Sequence, residues 1–302
     1  MKKPSNPILK TLLALVLLTG LVGSLVGCNG TTTSTTTTHT PPAVPDMILA
    51  TTTSTQDTGL LDVLIPMFEN ETGYKVKTVA VGTGAAIAMG QRGEADVLLV
   101  HDYTKEVPLV TAGDAINRTL LMHNDFLIAG PASDPANIKG ITSAKDAFHK
   151  IADANALFIS RGDASGTNSS ELRIWKSLNI TPKGQSWYQE TGSGMGATLA
   201  VAAEKNAYVY TDRATYLATK STSGLEISME NSSDPALLNV YHVMQVNPTK
   251  STSINGPGGK AFVDFMIEPA TLDVIRKFGV DKYGQPLFFV DYGKTEAELG
   301  IQ

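Results

Sequence analysis

Met47-Ile48-Leu49-Ala50 is a short apolar run, followed at once by Thr51-Thr52-Thr53-Ser54-Thr55-Gln56-Asp57-Thr58-Gly59. Beyond that hydroxyl-rich stretch, Leu60, Leu61, Val63, Leu64, Met67 and Phe68 recur at helical spacing, and the pattern stops near Gly73. A strand, a polar turn and an amphipathic helix in this order form the unit from which α/β folds are built. Pro66 inside the helical pattern predicts a kink or an irregular turn.

Outward from this unit the same alternation continues. Lys75–Val81 reads as a strand, Gly82-Thr83-Gly84 as a turn, and an Ala-rich helix runs to about Arg92. Val97–Val100 is continuously apolar, as suits a strand buried on both faces. Further strands are expected at Phe126–Ala129, Leu157–Ser160, Tyr208–Tyr210 and Tyr241–Val246. Helices are expected from about Asn168, with Asn168 and Glu171 at capping-box spacing, and over Met195–Lys205. Two more, Lys260–Ile267 and Ala270–Phe278, are separated by Pro269 and closed by Gly279. No repeat with a period of 20–50 residues is visible.

Three segments share one local design. Thr51–Gly59, Val81–Gly84 and Arg161–Asn168 each follow a strand, precede a helix and are built from Gly, Ser and Thr. A helix start offers unpaired N–H groups and partial positive charge, which suits an anion. Hydroxyls add donors, and glycine lets the backbone approach closely. In an α/β sheet such turns lie at the carboxyl ends of the strands, where ligands bind. Taken singly, each could merely cap a helix. Three together, one carrying Arg161 beside Ser165-Gly166-Thr167, favour an anion site. Pairing of Arg161 with Asp163 would not exclude that role, since a carboxylate can orient a guanidinium.

The 302 residues carry 24 Lys and Arg against 29 Asp and Glu, with 42% hydrophobic residues and one cysteine, Cys28. Lys2, Lys3 and Lys10 form a basic leader before an uncharged stretch from Thr11 to Gly27, which reads as a signal peptide over residues 1–27. Leu25-Val26-Gly27-Cys28 resembles a bacterial lipobox, which implies lipidation at Cys28 and an extracytoplasmic, membrane-anchored protein. Residues 28–45, rich in Thr, Ser and Pro and without charge before Asp46, read as a tether in which His39 is a bystander. Without the leader the chain carries 21 basic and 29 acidic residues, a net charge of −8, which argues against nucleic acid as a partner. The folded part divides by length into two lobes, expected at 46–123 with 241–302 and at 124–240.

Other chemistries find little support. Walker A, H-E-x-x-H and G-x-S-x-G sequences are absent, and His101, His123, His149 and His242 lack metal-ligand spacing. Gly192–Ala197 formally spells G-x-G-x-x-A, with Asp212 twenty residues after Gly192, but Trp187–Glu190 before it makes a poor buried strand. No nucleophile can be named for a His101-Asp102 dyad.

A-T-T-T-S-T-Q-D-T-G-L-L-D at 50–62, V-G-T-G at 81–84, G-E-A-D-V-L-L-V-H at 93–101 and M-H-N-D-F at 122–126 resemble the tungstate-binding proteins of bacterial tungstate ABC importers. F-I-S-R-G-D-A-S-G-T at 158–167, E-T-G-S-G-M-G-A-T-L at 190–199 and Y-T-D-R-A-T-Y-L at 210–217 continue the pattern, so the resemblance spans Met47 to about Pro248. It implies an α/β fold of the type II periplasmic-binding-protein kind: two lobes joined by two crossover strands and closing on an oxyanion. The resemblance assigns donors to Thr53, Ser54 and Thr83 from one lobe, the main positive charge to Arg161, and further donors to Ser165, Gly166 and Thr167. Met195, Gly196 and Thr198 would complete the closed site. Asp102 departs from the neutral residues expected after that histidine. No catalysis and no cofactor are implied. The partners would be tungstate and a membrane permease, with the receptor itself a monomer.

Tungstate, molybdate and sulfate only accept hydrogen bonds at neutral pH, so a donor-only pocket favours them, whereas a buried carboxylate acceptor favours protonated phosphate. Asp57, Asp96, Asp102 and Asp163 lie near the motifs. Only the resemblance selects tungstate over molybdate, phosphate or sulfate. An exported hydrolase or phosphotransfer enzyme using Ser165 or Ser54 is the alternative of a different class.

Overall fold

The computed structural model describes residues 42–301. The leader at 1–27, Cys28 and the tether as far as residue 41, His39 included, lie outside the described residues. The elements in chain order are β1 (Asp46–Thr52), α1 (Thr53–Asp57), α2 (Leu60–Thr72), β2 (Lys75–Val81), α3 (Thr83–Arg92), β3 (Val97–Val100), α4 (Tyr103–Thr111) and β4 (Ala115–Gly130). Next come α5 (Ala144–Asp153), β5 (Phe158–Ser160), α6 (Gly166–Ser177), β6 (Tyr188–Glu190), α7 (Met195–Glu204), β7 (Tyr208–Asp212), α8 (Arg213–Ser223) and β8 (Glu226–Met229). The chain ends with β9 (Leu238–Val246), α9 (Gly256–Met266), α10 (Pro269–Lys277), α11 (Val280–Tyr283) and β10 (Phe289–Val290).

Strand order is β2-β1-β3-β9-β4-β7-β5-β6, with β8 and β10 also pairing β4. At one end β2 and β3 run parallel to β1, and at the other β6 and β7 run parallel to β5. Between them β9 and β4 are antiparallel. The 16-residue β4 belongs to both halves: Ala115 to Asp125 face β9, and Phe126 to Ala129 face β7. Each half buries both faces of its sheet, as parallel strands with covering helices require. Phe68 meets Phe262 and Phe265 edge-on below one half. Trp175 packs among Phe148, Phe158 and Trp187 in the other. Two α/β lobes result.

Local sequence chemistry accounts for most boundaries. The segment Thr51–Gly59 contains one short helix, α1, capped by Thr52, whose hydroxyl accepts from the Thr55 N–H at 3.1 Å. Gly59 (φ 80°) and Gly73 (φ 79°) take the left-handed backbone that ends one helix and sets the next, which a side chain resists. Helix α2 runs through Pro66 to Thr72, held by its buried face of Leu60, Leu61, Leu64 and Phe68.

The expected capping box at Asn168 and Glu171 is not formed. Helix α6 starts three residues earlier, where Ser165 accepts from the Asn168 N–H at 3.3 Å. Glu171 is instead buried, and Asn168 reaches back to accept from the Ala164 N–H. Ala164 (φ 58°) and Gly162 (φ 61°) both sit in the left-handed region, so the loop before α6 needs this support. The strand before Gly192–Ala197 is the short edge strand β6, paired with β5.

A candidate anion site at the carboxyl ends of the strands

Helix α1 follows the carboxyl end of β1, α3 that of β2, α6 that of β5, α7 that of β6 and α8 that of β7. Because β3, β9, β4 and β7 are successively antiparallel, the strands of the two halves run in opposite senses, and these N-termini face one another from the two halves. A cavity of about 180 Å³ lies there, lined by Ser54, Asp57 and Thr58 from one lobe and by Arg161, Met195, Gly196 and Thr215 from the other, with Tyr283 and Leu287 closing it. A larger cavity of about 760 Å³ opens at the opposite ends of β1 and β2, among Pro42, Val44, Tyr74 and Ile254. The smaller one has the helix starts and the arginine, so chemistry and the strand-end rule both favour it.

Arg161 is 5% exposed and directs Nη2 and Nε to one oxygen of Asp163, at 2.6 and 3.1 Å. The other Asp163 oxygen accepts from the Ser165 N–H at 3.1 Å. Asp163 thus ties the guanidinium to the start of α6. Its own charge offsets part of Arg161's, so an anion placed here depends on N–H and O–H donors as well.

The predicted residues differ in where the fold places them. Ser54, Arg161, Met195 and Gly196 share the cavity. Ser165, Gly166 and Thr167 are buried at the α6 start and reach the first lobe through Gly166, which lies against the His101 ring. Thr83 is fully buried at the start of α3, its hydroxyl without a hydrogen-bond partner among the described residues. Thr53 is exposed. Thr198 is differently engaged: its hydroxyl bonds Thr191 at 2.9 Å and donates to the Gly194 carbonyl at 3.0 Å, and its N–H also goes to Gly194. It holds the turn before α7 together, which leaves Met195 and Gly196 as the parts of that turn facing the cavity.

Of the four carboxylates near the motifs, Asp96 is far from the cavity in function, accepting from the Ile48 and Asn255 N–H groups at 2.6 Å each. Asp102 is taken up by Thr104 and Lys105, both at 2.6 Å. Burial alone would raise its pKa, but these partners hold it below the usual carboxylate range. Asp57 lines the cavity and Asp163 faces Arg161.

Two residues central to this region were not assigned a role by sequence. His101 shares a 3.0 Å hydrogen bond through Nε2 with Thr52 Oγ1 and packs on Tyr241. Burial lowers its pKa to about 4, so the ring is neutral. Asp212 caps α8, accepting from the Thr215 N–H and hydroxyl at 2.8 Å. Burial raises its pKa, and the Arg161 charge opposes the rise. The segment Thr211-Asp212-Arg213-Ala214-Thr215 is a further strand-to-helix turn, recognisable by an Asp cap in place of Gly and Ser.

The arrangement is poor for nucleophilic catalysis. Ser54 Oγ is 3.4 Å from His101 Nε2, but a ring with a pKa near 4 is a weak base, and Nδ1 has no partner among the described residues to orient it. Ser165 spends its oxygen on the helix cap.

Two α/β lobes sharing β4, with helix starts from both converging on one small cavity, define a solute-binding protein of the type II periplasmic fold. A family model described as a PBP superfamily domain matches residues 30–270. The tungstate-binding protein TupA of Peptoclostridium acidaminophilum is 45% identical over 267 residues, 88% of this chain and 92% of that protein. The solved tungstate-binding protein TupA from Desulfovibrio alaskensis G20 superposes with TM-score 0.73 at 43% identity, covering 82% of this chain and 100% of that one. The tungstate ABC transporter structure from Geobacter sulfurreducens gives TM-score 0.69 at 42% identity, over 77% of this chain and 98% of that one. This chain belongs to the PBP superfamily and, within it, to the family of the TupA tungstate-binding proteins.

Proposed function

We propose that this protein is an extracytoplasmic receptor that binds tungstate and hands it to the permease of an ABC transporter, without catalysis. The observation that carries this reading is the convergence of Ser54 and Arg161 from opposite lobes on one cavity at the helix starts. Ser54, Thr53 and Thr83 donate from the first lobe; Arg161, Ser165, Gly166 and Thr167 donate from the second. The 180 Å³ space suits a single small oxyanion and is too small for a nucleotide. Membership of the TupA family supports tungstate in preference to phosphate or sulfate.

On this reading the lobes are 46–123 with 241–302 and 124–240, and the exchange of β9 for β7 along β4 after Asp125 supports a crossover close to that boundary. Lipidation at Cys28 would hold the receptor at the membrane, and a monomer suffices for the site. Isothermal calorimetry with tungstate, molybdate, sulfate and phosphate tests the assignment. Tungstate is expected to bind most tightly, and strong phosphate binding without tungstate heat would refute it.

A further inference from the structure

Beneath the loop Arg161–Thr167 lies a buried carboxyl group that anion binding by itself does not require. Glu171 sits five residues beyond Gly166 on α6, about 7–8 Å along the helix axis, and is 2% exposed. Its Oε2 accepts from Ser160 Oγ at 2.6 Å, and its Oε1 accepts from Tyr188 Oη at 2.7 Å and Trp175 Nε1 at 3.1 Å. Ser160 in turn accepts from Asn168 Nδ2 at 3.2 Å, and Asn168 Oδ1 accepts from the Ala164 N–H at 3.1 Å. One chain of hydrogen bonds therefore runs from this carboxyl group to the loop that presents Ser165, Gly166 and Thr167.

Among the described residues, no cation pairs with Glu171. Strand β5 offers Ser160 and β6 offers Tyr188, with the Glu190 charge beyond it. Strand β7 offers Tyr210, which bonds Ser170, and α5 packs with Ala147, Phe148 and Ile151. Arg161 is engaged by Asp163, and the half-exposed Arg173 approaches Asp102 at 3.8 Å. Burial, only partly offset by the three donors, raises the Glu171 pKa to about 7.

We propose that Glu171 is the proton acceptor of ligand binding: a dianion entering at the α6 N-terminus draws a proton from solvent onto this carboxyl group, which releases it when the anion leaves. The proposal rests on the tungstate reading above. Its reason is electrostatic. A buried carboxylate and a dianion within about 10 Å repel through a medium that screens poorly, so the protonated form of Glu171 binds the anion better. By linkage, affinity then falls as pH rises through neutrality. Glu171 is a positioning residue here, acting through Ser160 and Asn168 and through its charge.

Calorimetry with sodium tungstate between pH 6.0 and 8.5 tests the proposal. Affinity is expected to weaken on the order of tenfold across that range, for an upward pKa change of about one unit on binding. Titrations in two buffers of different ionisation enthalpy near pH 7.5 should show uptake of a fraction of a proton per anion. Glu171→Gln should abolish both, leaving tight binding at every pH. Tyr188→Phe removes a donor to the carboxylate and should move the affinity midpoint to higher pH, which serves if Glu171→Gln does not fold. Equal proton uptake in the wild type and Glu171→Gln, or none in the wild type, overturns the proposal while tungstate binding stands. Absence of tungstate heat at every pH overturns the functional reading and this inference together.

Discussion

Gly166 and His101 meet across the cleft, one at the start of a helix in the second lobe and the other at the end of a strand in the first. A Cβ built on Gly166 would overlap the His101 ring at Cε1 and stand 2.9 Å from Nδ1. The ring cannot easily withdraw, because Thr52 holds its Nε2 and Tyr241 covers its face. Glycine at 166 is therefore what lets the two lobes touch, and backbone approach is the reason, since its φ is ordinary for a helix start. Gly166→Ala is expected to keep each lobe folded but prevent this contact. Tungstate affinity should fall at least tenfold, and small-angle scattering of the loaded variant should show a larger radius of gyration than the wild type. An unchanged radius with unchanged affinity would show that the contact plays no part in closure.

Arg161 is buried beside the cavity with Asp163 as its partner. Arg161→Ala removes the cation and leaves the Asp163 carboxylate facing the ligand, so binding loses by attraction and by new repulsion. The expected cost is about 2–4 kcal/mol in tungstate binding. Arg161→Ala with Asp163→Asn should recover part of that loss. Calorimetry on the two variants decides, and a double variant no better than the single one would exclude the repulsive contribution.

Thr83 gives a cleaner separation of binding from folding. Its hydroxyl is buried and lacks a partner among the described residues, a condition that costs stability unless something else accepts or donates there. Thr83→Val keeps the shape and removes the hydroxyl. The unliganded protein should melt at the same temperature or higher, while the stabilisation produced by tungstate should shrink by about 1–2 kcal/mol. Differential scanning fluorimetry with and without tungstate measures both. A lower melting temperature without ligand would mean that the hydroxyl has a structural bond in solution.

Much of the fold could be read in advance where one segment carries its own period and punctuation. Lys75–Val81 and Val97–Val100 were legible because apolar runs end at glycine or polar turns, and α3 ended at Arg92 because Gly93 follows. The start of α6 is ambiguous in the sequence because two cap signals overlap. Asn168 and Glu171 have the spacing of a box, but burial against β5 and β6 draws Glu171 to Ser160, Trp175 and Tyr188. The length of β4 was hidden because Arg118, Asn124 and Asp125 break its apolar pattern, and those polar side chains find partners only in the folded protein: Glu106, Asn239 and Arg213. At the site, hydroxyls and Arg161 were visible as motifs. His101 and Asp212 became important only when strands from distant parts of the sequence brought Thr52, Gly166 and Thr215 to them, and no spacing rule encodes that.

His101 and Glu171 also make a prediction about stability against pH, because their shifts are opposite. His101 titrates near 4 in the folded protein against 6.5 ordinarily. Its contribution is present above about 6.5 and is lost as pH falls toward 4, since the unfolded chain binds the extra proton in that window. Glu171 titrates near 7 against 4.5 ordinarily. Its contribution is present below about 4.5 and is lost as pH rises through 7, since here the folded protein holds the extra proton. Each shift corresponds to about 3 kcal/mol. Between about pH 4.5 and 6.5 the two slopes cancel, so this pair leaves the wild type nearly flat. Glu171→Gln removes one slope and leaves that of His101 in the variant; relative to the wild type, its stability should rise by about 3 kcal/mol between about pH 4.5 and 7, the window of the Glu171 shift. Urea unfolding midpoints of both proteins across pH 4 to 8 measure the difference, in which every other titrating group cancels. Parallel curves for the two proteins would mean that Glu171 is ionised in the fold like any surface glutamate.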